Sequence, residues 1–531
     1  MRYRIVFFLI LLSQPLHLSA QTIAPRIEWS HCFGGSDEDQ ALSVEQTSDN
    51  GYIIAGLSRS SDSNLTLHHG TADATDAWVI RLDSTGKLLW QSDFGGDEDD
   101  IANSIQQTPD GGFIFAGTTS SLNGDVITNH GGKDYWVVKL NEFGKLKWQK
   151  TFGGSNDDEA TSIAVVAGGG FIVNGFSYSN DGDVRNHHGD NSRADLWVVR
   201  IDDAGNLLWQ KSYGGSKRDY GYSIAQSQNN HFLLGGYSNS SDGDIATNHG
   251  DDDFLAIEID SVGKIVWEKT YGGSGIDEAY SIAPTQDDGC IVAGFTFSTD
   301  GDVGTRSTPA NPDDWIVKLD KNGKIEWKKI LGGEDLDAIY SVEQTLDGGF
   351  VALGSTSSTT GSFSSNHGES DFYFLRLDPS GNLLWQMLLG GSGNEFGLCV
   401  ALCSDSGFVL AGTADSDDGD VHDHQFKEDF WVAKLGYSKP SSVHDFVFSR
   451  LRSSAFPNPF KTETKIMFKG NIESPSELIL YNLLGQEVKK LVVLAGAQEV
   501  SIYRNALSSG MYVYRLVEGG LIRASGNLII E

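Results

Sequence analysis

The sequence predicts an all-β fold, a seven-bladed β-propeller of four-stranded blades, and three observations lead to that prediction. The first is a phrase that recurs seven times: a tryptophan, a Gly-Gly pair that begins five residues later, an acid, and a strand of small residues. Successive copies lie 58 to 61 residues apart, and a fixed period of this size indicates a propeller, a solenoid or an array. The tryptophans that open the copies are Trp29, Trp90, Trp148, Trp209, Trp267, Trp327 and Trp385.

The second observation is that each copy divides into four short strands. Apolar and charged side chains alternate within them, as in Trp136-Val-Val-Lys139-Leu140. Glycine-containing turns join the first strand to the second and the third to the fourth, whereas a long polar loop joins the second to the third. In the second copy the predicted strands are Ile101–Gln106, Phe113–Gly117, Tyr135–Leu140 and Lys145–Lys150.

The third observation concerns the two ends of the repeat. The seventh copy runs from Gly390 to Leu435 and lacks a fourth strand, while the first copy is preceded by an unpartnered fourth strand, Ile27-Glu28-Trp29. If Ile27–Cys32 completes the seventh blade, every strand has a neighbour and the ring closes without a covalent bond, which removes the exposed sheet edges. We therefore predict one propeller over residues 22–435.

The N-terminus has the pattern of a secretory signal peptide. Arg2 and Arg4 precede an apolar run from Ile5 to Leu12, and Ala20 offers a small residue before the cut. The sequence predicts a signal peptide over residues 1–20 and no transmembrane segment in the mature chain, because no other stretch is long and apolar enough to span a bilayer. The four cysteines fall at strand positions of the repeat, and we expect them to be free thiols: Cys32, Cys290, Cys399 and Cys403.

The charge of the chain is strongly negative and unevenly spread. The formal net charge is −33, and because the remaining residues carry +5, residues 22–435 carry −38. Such a surface repels phosphate backbones, so nucleic acid is excluded as a partner. Cations, basic surfaces and neutral glycans remain compatible with it.

The repeat ends before the C-terminal part of the chain. Residues 436–455 contain Pro440-Ser-Ser and scattered charge, and we interpret them as a linker. Residues 456–531 contain short alternating strands, such as Leu478–Tyr481 and Gly510–Tyr514, between turn residues. This pattern predicts a small β-sandwich.

Four phrases of the repeat carry a family resemblance across residues 27–435: Gly-Gly-Ser-x-x-Asp-Glu-Ala-x-Ser-Ile, Asp-Gly-Gly-Phe-Ile-x-x-Gly, Asp-x-Trp-Val-Val-Lys-Leu and Gly-Lys-Leu-x-Trp. They resemble the seven-bladed β-propeller repeats of secreted bacterial proteins. The Gly86–Trp90 turn also looks like the docking motif of pyrroloquinoline-quinone propellers, but the rest of the repeat departs from that pattern. We predict no quinone and no other organic cofactor.

The tail carries a second resemblance. Its residues are Pro457, Asn458, Pro459, Phe460, Gly485, Gly510 and Tyr512. They resemble the motifs of a type A C-terminal sorting domain of the type IX secretion system, and the resemblance spans residues 456–531. It implies that the tail engages the type IX secretion machinery, guides the chain across the outer membrane and is then usually removed. The protein would reach the outer cell surface or the extracellular medium of a Bacteroidota-type bacterium.

Three acidic positions recur in register, and propeller geometry brings them to one face. We call it the loop face, because the Gly-Gly turns and the long loops between second and third strands emerge there. The first position follows Gly-Gly: Asp39, Asp100, Asp158, Asp219, Asp277, Asp337 and Glu395. The second lies in the long loop: Asp125, Asp183, Asp244, Asp302 and Asp420. The third precedes the third strand: Asp76, Asp134, Asp195, Asp253, Asp313, Asp371 and Asp429. Five loops also contain His-Gly, at His69, His130, His188, His249 and His367.

Two interpretations of the loop acids remain open. Asp181 with Asp183, and Asp418 with Asp420, place two carboxylates at close spacing and could hold calcium. Calcium takes 6–8 oxygen ligands, however, and each loop would have to recruit most of them from elsewhere. The other interpretation is that these side chains bond their own loop backbone and fix a shape that every blade repeats.

Departures from the repeat indicate where a ligand could bind. In the fourth blade, Lys217, Arg218 and Tyr220 replace acidic residues around the Gly-Gly turn, and in the fifth blade the loop from Arg306 to Asp313 lacks His-Gly. Loops tolerate variation, so ordinary drift between repeats is the alternative explanation. We select Lys217, Arg218, Tyr220 and Arg306 as candidate binding residues.

Two functions follow as hypotheses. The first is an exported, non-enzymatic binding or adhesion module that recognises glycans or proteins through its acidic loop face, since no nucleophile, metalloprotease or phosphate-loop motif is present. The alternative is an extracellular polysaccharide-acting hydrolase or lyase that uses loop carboxylates. The sequence predicts no catalytic residue by name.

Overall fold

The computed structural model describes residues 23–63, 68–70, 74–306, 310–363, 366–424, 427–437, 452–469, 472, 476–482, 487–505, 507–518 and 521–531. The predicted signal peptide, most of the predicted linker and Gly485 lie outside the described residues. The chain divides into two compact units, Met1–Tyr437 and Ser438–Glu531, which are treated separately. The domain boundaries predicted at residues 22, 435 and 456 stay predictions.

Every regular element in the described part of the chain is a β-strand. The strands of the first unit are β1 (Arg26–Phe33), β2 (Asp39–Gln46), β3 (Tyr52–Ser58), β4 (Asp76–Leu82), β5 (Leu88–Phe94), β6 (Asp100–Gln107), β7 (Phe113–Thr119), β8 (Asp134–Leu140), β9 (Leu146–Phe152), β10 (Asp158–Val165), β11 (Phe171–Ser177), β12 (Asp195–Ile201), β13 (Leu207–Tyr213), β14 (Asp219–Gln226), β15 (Phe232–Ser238), β16 (Asp253–Ile259), β17 (Ile265–Tyr271), β18 (Asp277–Pro284), β19 (Cys290–Thr296), β20 (Asp313–Leu319), β21 (Ile325–Leu331), β22 (Asp337–Gln344), β23 (Phe350–Thr356), β24 (Asp371–Leu377), β25 (Leu383–Leu389), β26 (Glu395–Leu402), β27 (Phe408–Ala414) and β28 (Asp429–Gly436).

These strands form seven four-stranded antiparallel sheets, and the sheets form a ring. Blades one to six are consecutive groups of four strands from β2 to β25, and blade seven consists of β26, β27, β28 and β1. The first strand of each blade contacts the first strands of both neighbouring blades, and the series β2, β6, β10, β14, β18, β22, β26 returns to β2. First strands are therefore innermost and surround a central channel. The prediction of a seven-bladed propeller is confirmed.

The N-terminal strand closes the ring, as the sequence predicts. β1 pairs antiparallel with β28, with Ile27 opposite Leu435 and Phe33 opposite Phe430. Blade seven thus combines one strand from the beginning of the ring sequence with three from its end. Within the second copy the strand bounds differ by up to two residues from the predicted ones: β6 begins one residue earlier, at the acid Asp100, and β7 and β9 each end two residues later.

Serine hydroxyls connect the innermost strands around the channel. The backbone N–H of Ile105 in blade two donates to the Ser43 hydroxyl of blade one at 3.1 Å. The same bond recurs at Ser104, Ser162, Ser223, Ser281 and Ser341. Cys399 takes this position in blade seven, where its sulfur accepts the N–H of Val44 across the closing joint.

The tryptophans pack between blades. Those of the third strands are fully buried against an aromatic or apolar residue of the preceding blade; Trp78, for example, lies 4.4 Å from Phe430 between ring centroids. Those of the fourth strands pack on the following blade, as Trp29 does on Tyr52 at 5.4 Å. Large apolar areas are buried in these contacts, which stabilise the ring. All four cysteines are free thiols.

The second unit is a small sandwich of two sheets. One sheet has the order β29-β30-β33 and the other β32-β31-β34-β35. Phe460, Tyr512 and Tyr514 lie in the core between them. The strands are β29 (Arg452–Phe456), β30 (Glu463–Lys469), β31 (Ser476–Tyr481), β32 (Glu487–Val493), β33 (Glu499–Tyr503), β34 (Gly510–Glu518) and β35 (Leu521–Ile530). Across the described residues of both units, no helix has the length and hydropathy needed to cross a membrane.

Candidate functional site

The acid after each Gly-Gly pair is fully buried and holds the turn that precedes it. Asp158 accepts the N–H of Gly154 at 2.7 Å and the Ser179 hydroxyl at 2.9 Å. Its own N–H donates to the carbonyl oxygen of Lys133, in the preceding blade, at 2.6 Å. Burial raises the pKa of Asp158 to about 6, because an ionised carboxylate loses its hydration. The same Gly N–H bond is made by Asp39, Asp100, Asp219, Asp277, Asp337 and Glu395.

The third acidic position is bonded by the His-Gly histidines. Asp134 Oδ2 accepts the backbone N–H of His130 at 2.6 Å and lies 2.7 Å from its ring Nδ1. Asp134 Oδ1 faces Gly153, where a Cβ atom would stand 2.3 Å from it and 2.6 Å from Asp158 Oδ2. Two buried carboxylates therefore enclose the first glycine of the pair, which explains the need for glycine. Equivalent pairs are His69–Asp76, His188–Asp195, His249–Asp253 and His367–Asp371.

The residues of the calcium hypothesis bond the Gly-Gly turns. Asp181 Oδ1 accepts the N–H of Ser155 at 2.7 Å, and Asp418 Oδ1 accepts that of Ser392 at 2.7 Å. The backbone N–H groups of Asp183 and Asp420 donate to the first glycine of each turn, at 2.9 and 3.0 Å. Among the described residues, no group of three or more His, Cys, Asp or Glu side chains is arranged to hold a metal ion. Calcium binding at these loops stays a prediction.

Arg306 lies inside the loop of its own blade. Its Nη1 is 3.0 Å from Asp313 Oδ2, and the guanidinium also donates to the carbonyl oxygens of Phe297 and Ser298. Asp313 is the third-position acid of blade five, so the guanidinium occupies the role that histidine has elsewhere. The Arg306 side chain is 0% exposed. We therefore propose a structural role for Arg306 and leave it out of the candidate site.

The other three predicted residues lie together on blade four. Arg218 Nη2 is 2.7 Å from Asp252 Oδ2, and its charge acts on the neighbouring Tyr220 and Tyr237. The exposed Lys217 donates from Nζ to Asn239 Oδ1 at 3.0 Å. Tyr220 points toward blade three, where its hydroxyl lies 2.5 Å from that of Tyr178.

A set of aromatic side chains on blades three to six departs from sevenfold symmetry, and we call it the aromatic path. Its members are Phe176, Tyr178, Tyr220, Tyr222, Tyr237, Tyr280, Phe295, Phe297 and Tyr340. At the position of Phe176, blades one, two, six and seven have Leu57, Thr118, Ser355 and Thr413. At the position of Tyr178 they have Arg59, Ser120, Ser357 and Asp415. The ring fold does not require aromatic residues at these positions.

Part of the aromatic path lies at a β-bulge that the innermost strands share. In every blade the register of the first strand shifts around its fourth residue, as between Gly221 and Ser223. A bulge changes the direction of the side chain at the extra residue. These bulges lie in the first strands, which are the innermost strands of the ring. The bulged residues are Leu42, Asn103, Thr161, Tyr222, Tyr280, Tyr340 and Leu398.

A cleft opens on the loop face at the blade-three end of the aromatic path. Its volume is about 500 Å³, within the range of small-ligand sites. Phe176, Tyr178 and Tyr220 form an aromatic wall, and Asp157 and Glu159 place carboxylates at its edge. The side-chain amides of Asn156 and Asn191 also line it. The arrangement offers ring faces for stacking, with hydrogen-bond donors and acceptors around them.

The electrostatics of this region are mixed. Glu159 Oε1 is 3.2 Å from Lys133 Nζ, which partly neutralises that carboxylate. Farther along the path, Tyr280 donates to Glu278 Oε2 at 2.8 Å, and burial raises the pKa of Glu278. Burial also raises the pKa of the Tyr220 hydroxyl above its ordinary value. The Tyr220 phenol is therefore neutral at physiological pH and can donate a hydrogen bond.

Of the aromatic path, sequence reasoning identified Tyr220 and missed the other members. A signal was available, because three consecutive blades carry tyrosine three residues after the first-position acid, at Tyr222, Tyr280 and Tyr340.

Comparison with known proteins gives matches for both units. Residues 454–531 match the family described as "Secretion system C-terminal sorting domain", and residues 194–394 match "Outer membrane protein assembly factor BamB". Among solved structures, the Pan2 WD40 domain of Neurospora crassa is 13% identical, with 75% of this chain and 89% of that chain covered and a TM-score of 0.39. A member of the duf4221 family from Bacteroides vulgatus is 8% identical, with 77% and 97% covered and a TM-score of 0.33. A comparison with curated proteins finds no match.

The sorting motif residues have structural roles in the second unit. Asn458 Oδ1 accepts the N–H of Ile529 at 2.7 Å, and the N–H of Phe460 donates to Ile529 O at 3.0 Å. The Tyr512 hydroxyl donates to Ser508 O at 2.9 Å. Pro457 and Pro459 flank Asn458 in this segment, and Gly510 begins β34.

The fold and the matched families define an exported β-propeller protein. It carries a type IX secretion C-terminal sorting domain, which directs the chain through that secretion machinery to the cell surface or the extracellular medium.

Proposed function

We propose that the propeller is a non-enzymatic glycan-binding module and that the cleft on blade three is its binding site. The observation that carries this proposal is the asymmetry of the cleft: at the positions of Phe176 and Tyr178, blades one, two, six and seven have no aromatic side chain. Aromatic faces next to carboxylates, amides and phenols suit a sugar, which has apolar ring faces and hydroxyls at its edges.

The charge of the molecule favours an uncharged sugar. Residues 22–435 carry −38, so an anionic polysaccharide would be repelled. The guanidinium of Arg218, the cation nearest to the path on blade four, is already paired with Asp252 at 2.7 Å.

Binding of the purified chain to neutral polysaccharides, measured by titration calorimetry, tests the proposal. Tyr178→Ala and Tyr220→Ala should each weaken binding about tenfold, which corresponds to about 1.4 kcal/mol. Tyr178→Phe keeps the ring and removes the hydroxyl, and should weaken binding less than Tyr178→Ala. Phe143→Ala, which removes an aromatic ring that is 66% exposed on the opposite face, is the control and should bind normally.

The same experiment separates the other functions. Release of reducing ends or unsaturated products that depends on Asp157 or Glu159 would replace the proposal with the hydrolase or lyase hypothesis. Tight binding of a protein with no binding of any glycan would identify the cleft as a protein-recognition site. Binding that survives both alanine substitutions in a folded chain would place the site elsewhere.

A further inference from the structure

The aromatic path continues from the cleft onto the innermost strands of blades four to six without a break. Ring centroids are separated by 4.6 Å between Phe176 and Tyr220, 5.0 Å from Tyr220 to Tyr237 and 5.6 Å from Tyr237 to Tyr222. The next steps are 5.1 Å from Tyr222 to Tyr280 and 5.3 Å from Tyr280 to Tyr340. One series of ring contacts thus joins blade three to blade six.

The path has two defined ends. At the bulge position, blades four to six carry tyrosine, whereas blades one, two, three and seven carry Leu42, Asn103, Thr161 and Leu398. Three of the seven bulge positions are therefore aromatic, and the three lie on consecutive blades. A disc-shaped or symmetric ligand would not need such a one-sided wall, but an extended ligand that follows one side of the channel would.

Polar groups accompany the rings along the path. Tyr178 and Tyr220 place their hydroxyls at the cleft, and on blade five the Tyr280 hydroxyl donates to the Glu278 carboxylate. Tyr178, Tyr220, Tyr222, Tyr280 and Tyr340 are all half-buried, so parts of their rings reach solvent. A row of tyrosine rings, each with its own hydroxyl group, fits a polymer made of repeating units that each present an apolar face and polar groups.

We propose that the ligand is a linear, uncharged glycan chain, held at several successive sugars, with one part in the cleft and the next part along the tyrosines of blades four to six. This inference rests on the proposed function and adds the class of sugar to it. A linear chain follows from the continuity of the path, and the absence of charge follows from the acidity of the ring. The cleft at Tyr178 and the wall at Tyr280 and Tyr340 are then separate subsites for one chain.

The test is a length series on the full chain. Cello-, laminari- and malto-oligosaccharides, from disaccharide to hexasaccharide, are titrated against the unaltered protein. For the series that binds, affinity should rise at least tenfold from disaccharide to hexasaccharide and then level off. Tyr280→Leu and Tyr340→Leu, which introduce the residue found at this bulge in blades one and seven, should each lower hexasaccharide affinity at least fivefold and leave disaccharide affinity unchanged.

The control is Leu398→Ala, which truncates the bulged residue of blade seven, outside the path. It should bind every oligosaccharide normally. Thermal unfolding checks that each variant is folded. If either Tyr280→Leu or Tyr340→Leu fails to fold, the other variant provides the test. Equal affinity for disaccharide and hexasaccharide would overturn the linear-chain proposal and leave the cleft as a small glycan site. Binding of none of the three series or of the neutral polysaccharides would overturn the proposed function as well.

Discussion

The enclosure of the first glycine by two carboxylates makes Gly153→Ala a severe test of the blade joint. A Cβ atom at this position would lie 2.3 Å from Asp134 Oδ1 and 2.6 Å from Asp158 Oδ2. Neither carboxylate can move away freely. Asp134 is held by the His130 N–H at 2.6 Å and Asp158 by the Gly154 N–H at 2.7 Å.

The expected cost follows from those contacts. Overpacking a well-packed site costs about 1–3 kcal/mol, and displacing either carboxylate would break a buried hydrogen bond worth about 1–3 kcal/mol. We expect Gly153→Ala to lower the free energy of unfolding by about 2–5 kcal/mol. The φ angle of Gly153 is not in the left-handed region, so backbone strain adds nothing to this figure.

Thermal unfolding followed by circular dichroism measures the effect, with Gly168→Ala as the matched control. A Cβ atom at Gly168, in a turn of the same blade, would meet nothing within 4 Å. Both substitutions restrict the unfolded chain equally, so this contribution cancels. Gly153→Ala should melt several degrees below Gly168→Ala. Equal melting temperatures would refute the account of the joint.

Three further predictions concern the ring. Deleting residues 26–33 should destabilise the whole propeller, because β28 and Tyr52 lose their partners; an unchanged Tm would contradict closure by β1. Burial raises the pKa of Asp39 and Asp195 to about 7 in the folded ring, above an ordinary value of about 3.9. Their contribution to the free energy of unfolding is therefore fully present below about pH 4 and is lost as the pH rises through about 7. Tm should therefore fall from about pH 5 to about pH 8, less steeply in Asp195→Asn, and a rising Tm would show that these acids are ionised in the fold. For the calcium hypothesis at Asp181–Asp183 and Asp418–Asp420, excess calcium should raise Tm only slightly, and identical Tm values in calcium and in chelator would end it.

The fold could be predicted because the repeated phrase and its spacing are visible in the sequence alone. The position of β1 followed from counting strands at the two ends of the repeat. The acids were harder to interpret, because spacing alone does not reveal that Asp158 bonds two blades at once. The predicted start of the first strand was one residue late because the acid itself pairs with the second strand, as Asp100 does with Thr119.

The candidate site was less accessible to sequence reasoning. Arg306 is a candidate because its loop lacks His-Gly, but the sequence does not show that its guanidinium bonds Asp313 in place of the missing histidine. Tyr220 is a candidate because it replaces an acidic residue of the repeat, and its side chain does line the cleft. The two cases differ in side-chain direction, which the repeat pattern does not show.

The pairing of β1 with β28 also makes assembly of the ring sensitive to the length of the chain. β1 is the first strand of the ring to be synthesised, yet its partner is the last, and about 400 residues separate them. Until β28 is available, the growing sheet series has two unpaired edges, one at each end, which are prone to association with other chains. A chain truncated in any blade keeps both edges and leaves Trp78 without Phe430. Completion of the ring therefore distinguishes a chain that includes β28 from every chain that ends before it.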